Sequence, residues 1–323
     1  MTAQYTVGVV MLFWLLMAPV AAVAAGAAYQ AIETRRDRKR FPAPGRIINA
    51  GGADLHIREH GEGEPVVILE AGIAASSISW TYVQPEVAKL TRVISYDRAG
   101  FAWSGRCTQP RTPEQILLEL RAVMQACRVT APVVFVGHSF GALIGRLFAS
   151  RYPEMIAGLV LVDSALLQDW AAPNESRSRT LQMGVRMARR GAMLCRAGVV
   201  RFALATLVAG RKQLPKAIAR VSSSRGGQST LERLVGEVRK LPEQHWPAIR
   251  SHWSSPTAFE SMAEHLAVLP AVAREVAKHD SLGDLPLVVI SGAHLTEEQL
   301  AEHREVARTS TQGEHVLARE GGH

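Results

Sequence analysis

Cysteine is scarce in this chain. Its 323 residues hold three, Cys107, Cys127 and Cys195. They are odd in number, scattered and without a C-x2-C pair, which does not make a disulfide framework and leaves small buried hydrophobes as their ordinary role. Aromatic residues amount to 6%, with no stacking-platform pattern and no helix-turn-helix spacing. The formal net charge of +8 therefore points away from nucleic acid and toward solubility or an anionic surface. Charge is missing altogether from residues 2–32, and acidic side chains are missing from 177–225, where twelve Lys or Arg stand alone. What the chain does have is apolar bulk. Hydrophobic residues make up 47% against 20% charged, which excludes a disordered protein and allows one α/β domain with an insertion, or two domains.

The uncharged N-terminus has an apolar core at 7–17 that continues into an Ala/Val-rich stretch ending near Ala28. As a helix it is long enough to cross a bilayer. Arg35, Arg36, Arg38, Lys39 and Arg40 follow, with Glu33 and Asp37 among them. Positive charge on that side alone predicts a single-pass anchor, with the N-terminus outside and the rest of the chain in the cytoplasm. Residues 1–32 read as this transmembrane helix and 33–45 as a basic, proline-containing linker. The rival is a signal sequence cut near Val23-Ala24-Ala25, giving a secreted or periplasmic protein; its positively charged start is lacking.

Beyond the linker, 46–50 and 54–58 read as a hairpin across Gly51-Gly52. Apolar runs at 66–69, 92–96, 132–136, 158–163 and 286–291 are strands of the fully buried kind, and 314–318 is a weaker one. Residues 112–128 have helical spacing behind a Thr112-Pro113-Glu114 start. No strong strand occurs between Ser164 and Ser281, so 165–283 reads as a helical insertion. The domains expected are 46–164 and 284–323 for the core, with 165–283 as a cap. Strands alternating with helices imply an α/β class with a mostly parallel sheet flanked by helices.

One pentapeptide organises the rest: Gly137-His138-Ser139-Phe140-Gly141. It sits between an apolar strand and a helical run, the required context of the G-x-S-x-G nucleophile elbow. Small residues must stand two before and two after the serine, and both are Gly.

With the Leu69-Glu70-Ala71-Gly72 loop, the Tyr96-Asp97-Arg98-Ala99-Gly100 segment, Arg151-Tyr152-Pro153 and the final Gly322-His323, the chain resembles an α/β hydrolase from Arg46 to His323. The resemblance implies an eight-stranded sheet with a cap between strands six and seven, where the insertion lies.

It also implies machinery. Ser139 is the expected nucleophile and needs a base within hydrogen-bond reach. In this fold the triad runs Ser, acid, His along the chain, so the base falls after the last strand, at His323, with His315 as its competitor. His138 is expected to serve packing. The acid is Asp163, ending strand six, or Glu297 or Glu298 beyond strand seven, where Ser291-Gly292-Ala293-His294-Leu295 offers no Asp. The oxyanion hole takes the N–H groups of Phe140 and Ile73; Glu70-Ala71-Gly72 stands where His-Gly is commoner. The expected function is hydrolysis of carboxylic esters or related acyl compounds through an acyl-enzyme on Ser139. An amidase or acyltransferase, or an inactive binding protein, are the alternatives. No metal or cofactor is expected. The expected partners are an apolar small-molecule substrate and a membrane, contacted by the N-terminal helix and by the basic cap.

Overall fold

The computed structural model describes residues 2–208, 240–279 and 281–320; the side chains of 2–10, 12–13, 15–16 and 207–208 lie outside the description. Eight strands form one sheet: β1 (Arg46–Asn49), β2 (Asp54–His60), β3 (Val67–Glu70), β4 (Val93–Tyr96), β5 (Val133–His138), β6 (Ile156–Val162), β7 (Leu287–Gly292) and β8 (Gly313–Ala318). Their order is β1-β2-β4-β3-β5-β6-β7-β8. The first hairpin and the β2–β4 pair are antiparallel. All remaining pairs are parallel. Parallel strands are covered on both faces, and β3 and β4 are buried along their whole length.

Local chemistry sets the helices that matter for the site. After a short α2 (Val83–Val87), α3 (Pro113–Ala126) starts where the Thr112 hydroxyl accepts the Gln115 N–H at 3.1 Å, with proline in the first turn. Helix α4 (Phe140–Arg151) is buried from Phe140 to Ala149, so it has no polar face and lies wholly in the core. The described elements between β6 and β7 are helical: α5 (Leu167–Trp170), α6 (Glu175–Arg196), α7 (Val199–Val208), a 3-10 turn at Glu243–His245, α8 (Trp246–Trp253) and α9 (Pro256–Val276). Helix α10 (Glu297–Arg308) follows β7 and opens with a reciprocal Thr296–Gln299 capping box.

The chain divides into two compact units. One holds Ala43–Ala188 and Glu260–His323, the other Met1–Pro42 and Arg189–Phe259. The expected cap is thus split: the described residues of 189–259 cluster with the N-terminal helix, whereas 165–188 and the described residues from Glu260 cluster with the sheet. In the second unit α1 (Thr2–Arg40) is one continuous helix. The described end of this helix is not a linker. Asp37 is ion-paired with Arg201 of α7, both buried. Arg201 also donates to Gln30 at 3.0 Å, and Gln30 donates to the Ser254 carbonyl at 2.9 Å. Of the expected 33–45 linker, only Phe41–Gly45 remains outside regular structure. Among the described residues no helix is long and apolar enough to cross a membrane. The span expected over 1–32 is therefore not found among them. Most side chains of its 7–17 core lie outside the description, and the described end carries the polar set around Asp37.

Candidate active site

Ser139 stands between β5 and α4 at φ +53° and ψ −114°, a strained backbone for a residue with a Cβ. The strain is held by close packing. A Cβ on Gly137 would lie 2.4 Å from the Gly141 carbonyl oxygen, and one on Gly141 would lie 2.5 Å from the Glu70 carbonyl oxygen. The Ser139 N–H donates to the Val162 carbonyl at 2.9 Å, and the Ser139 carbonyl accepts from Ala142 at 3.1 Å and Ala165 at 3.2 Å. The serine backbone is thereby tied to the strand that carries the candidate acid.

The loop after β3 abuts this elbow. A Cβ on Gly72 would come within 3.1 Å of His138 Nδ1 and 3.4 Å of Ser139 Cβ, so Gly72 abuts the elbow closely. Ala74 takes φ +61°, and the Ala75 N–H closes the turn onto the Gly72 carbonyl at 3.2 Å. Further along, the Ser77 N–H donates to Asp97 Oδ1 at 2.7 Å, and Asp97 Oδ2 meets His56 Nδ1 at 2.8 Å in a fully buried pair. Phe140 follows Ser139 directly and is buried.

Beneath the loop lies a buried polar group. Glu70 is ion-paired with Arg98 and accepts from the Tyr96 hydroxyl. Burial raises the Glu70 carboxyl above the ordinary carboxylate range, and Arg98 opposes the rise. The Tyr96 phenol is pushed well up by burial and by Glu70. His265 of α9 is buried between Phe101 and Phe140, with ring centroids at 5.1 and 6.2 Å. Its Nδ1–H donates to the Ser261 carbonyl at 2.7 Å. Burial first, then the Arg98 charge, holds this imidazole well below its usual pKa and therefore neutral.

Asp163 follows β6 directly. It is 5% exposed and takes φ +46°, and its N–H donates to the Ile290 carbonyl at 2.7 Å. Its Oδ2 lies 3.3 Å from His294 Nε2. Glu297 and Glu298 are exposed in the first turn of α10, with Glu297 paired to Arg304 at 2.6 Å; acids there complement the helix dipole. Asp163 thus directly follows Val162, whose carbonyl accepts the Ser139 N–H, whereas both glutamates are exposed on α10. His315 sits on β8 and meets the Ser291 hydroxyl at 2.8 Å; the same hydroxyl meets His303 Nδ1 at 2.7 Å, and His303 Nε2 meets the Ser164 carbonyl at 3.0 Å. This chain braces the turn that holds Asp163. His323, the expected base, lies outside the described residues. Sequence reasoning missed His294. Its one available signal was its place just past the β7 strand end, where an acid was sought and none stands.

Among the described residues no group of three His, Cys, Asp or Glu side chains converges to hold a metal ion. The three cysteines are buried and free, and burial pushes the thiols of Cys127 and Cys195 up to about 12. A cavity of about 570 Å³ lies at the opposite end of the sheet from Ser139, lined by Ser150, Pro153, Ile156, Leu285 and Pro286 among others. It belongs to the first residues of β6 and β7 and not to the strand ends where the elbow sits.

Residues 65–191 match the family model of the alpha/beta hydrolase fold. Over that segment the chain is similar to the α/β-hydrolase family. Similar curated proteins include an AB hydrolase superfamily protein of Gibberella zeae, 38% identical over 31% of this chain and 33% of its own length. Another is the 2-hydroxy-6-oxo-6-(2'-aminophenyl)hexa-2,4-dienoic acid hydrolase of Metapseudomonas resinovorans, 31% identical over 37% of this chain and 42% of its own. The chain thus spans a third to under a half of these relatives. Among solved structures, the enol-lactonase of Burkholderia xenovorans LB400 shares the α/β-hydrolase fold at 21% identity, with a TM-score of 0.56 over 84% of this chain and 90% of that one.

Proposed function

We propose that the protein is a serine hydrolase acting on carboxylic esters or related acyl compounds. The observation that carries this reading is the convergence at Ser139: a strained serine, the Gly72–Ile73 loop packed against it, and the acid turn of Asp163 bonded to its carbonyl. In this reading Ser139 Oγ attacks the acyl carbon and gives up its proton to His323. Asp163 holds the imidazole and stabilises its charged form. The N–H groups of Ile73 and Phe140 stabilise the tetrahedral oxyanion. Collapse expels the alcohol, and water clears the acyl-enzyme. The relatives bear hydrolase names, which supports hydrolysis; amide cleavage and acyl transfer use the same groups and are separated by the substrate panel below.

The N-terminal part of α1 supports a membrane placement for the protein. Met11, Trp14, Met17, Val20 and Val23 are exposed, between 42 and 64%, on a stretch without charge, and such a run of apolar surface calls for cover. The basic residues that follow favour a cytoplasmic hydrolase domain.

The deciding experiment is labelling with a fluorophosphonate probe, mapped by mass spectrometry, with short-, medium- and long-chain esters, an amide and an acyl acceptor as competitors. The adduct is expected on Ser139, and Ser139→Ala should abolish it and lower ester turnover at least about 10⁴-fold. A folded sample that labels elsewhere, or not at all, overturns the reading and leaves a binding module.

A further inference from the structure

The Tyr96-Asp97-Arg98 segment takes no part in the reaction just described, yet Arg98 is almost fully buried beside it. Its guanidinium does four things at once. It pairs with Glu70. It donates to the Ala71 carbonyl at 2.5 Å and also to the Gly72 carbonyl. It lies over the ring of Phe140, 5.5 Å from the centroid. Asp97, its neighbour, holds the far side of the same loop through the Ser77 N–H.

We propose that Arg98 is a positioning residue that presets the oxyanion hole, fixing the Ala71 and Gly72 carbonyls so that the Ile73 N–H faces Ser139. This rests on the reading of Ile73 and Phe140 as oxyanion donors. The Gly72 carbonyl and the Ile73 N–H belong to one planar trans unit and point in opposite directions. A guanidinium that captures the carbonyl therefore fixes the direction of the Ile73 N–H, in a loop whose Gly72 abuts Ser139. A planar fork of five donors can hold two successive carbonyls and a carboxylate together, which a lysine ammonium cannot. Glu70 accounts for the unusual residue before Ala71-Gly72: a buried guanidinium needs a carboxylate partner. The contact with Phe140 lets the same group touch the segment that carries the second donor.

The test uses the full-length protein and two variants. Arg98→Lys keeps the charge and loses the fork. Glu70→Leu/Arg98→Met removes the pair together, so no buried charge is left alone. Three quantities are read: kcat per probe-titrated Ser139 on a p-nitrophenyl ester, KM, and amide hydrogen exchange by mass spectrometry over residues 71–78 and 133–151. Both variants should lose about 10–10²-fold in kcat, less than deletion of a donor, with KM within about threefold. Exchange should quicken at 71–78 and stay unchanged at 133–151. Unchanged exchange at 71–78, kcat per titrated serine within twofold of the parent in a folded variant, or failure of both variants to fold would each overturn the proposal, the last because Arg98 would then serve the fold itself. Should the parent fail to label at Ser139, the hydrolase reading falls, and the exchange data alone decide whether Arg98 fixes the loop.

Discussion

Asp163 is strained as well as buried. A backbone at φ +46° costs a residue with a side chain roughly 1–3 kcal/mol, and the structure holds it through Ile290 and through the Ser164 carbonyl bonded to His303. The carboxylate of this residue meets His294 Nε2 at 3.3 Å. Asp163→Asn should therefore keep the fold and lower kcat by about 10²–10⁴-fold, as removal of an imidazole-orienting acid does. Glu297→Gln, which only removes an exposed partner of Arg304, should leave kcat within about twofold. Steady-state ester kinetics on the two variants check this; an undiminished Asp163→Asn would remove Asp163 from the machinery. At this scale the sequence was informative about Ser139, because a G-x-S-x-G between strand and helix admits few geometries. It was ambiguous about the acid, because an Asp ending a strand and a Glu opening a helix each have ordinary structural roles, and the kinetics of the two variants separate them.

Elements join through the Ser291 hydroxyl. His303 of α10, Ser291 of β7 and His315 of β8 form one hydrogen-bonded line that ends on the Ser164 carbonyl after β6. Burial, the leading cause in each case, lowers the pKa of His303 and of His315 below the ordinary imidazole value. The unfolded chain then takes up protons on these side chains at a higher pH, near about 6.5, than the folded chain does. Their contribution to stability is complete above that value and is lost as pH falls through the folded-state pKa. Burial raises Glu70 and Glu302, whose effect has the opposite sign, so the informative quantity is a difference. Urea melts at pH 7.5 and 5.5 should show a smaller loss on acidification for His303→Gln than for the parent; an equal loss would rule out this line as a source of acid sensitivity. The strands were legible to within two residues because most are short apolar or β-branched runs bounded by turn residues. Helix α2 was not, since five residues around Pro85 carry neither periodicity nor a side-chain cap.

For the whole molecule the N-terminal helix is decisive. Met11, Trp14, Met17, Val20 and Val23 of its apolar stretch are exposed, and its later part is packed by polar bonds into its own unit. Sequence pattern alone showed the first and not the second, because the partners of Gln30 and Asp37 stand far along the chain. The expected result of alkaline carbonate extraction is retention of the full chain in the membrane pellet and release of a chain lacking residues 2–25. Release of the full chain, or a mature N-terminus near residue 25 by mass spectrometry, would contradict the anchor.

The Asp37–Arg201 pair has a bearing on synthesis. The two residues are 164 positions apart. At about 5–20 residues per second, an emerging helix α1 waits roughly 10–30 s for its guanidinium. Through that interval Asp37 and Gln30 stay in water, and the sheet strands from Arg46 to Val162 leave the ribosome first. Helix α1, made before these strands, is thus secured after them, and the order of translation favours a folded sheet before the helix finds its partner.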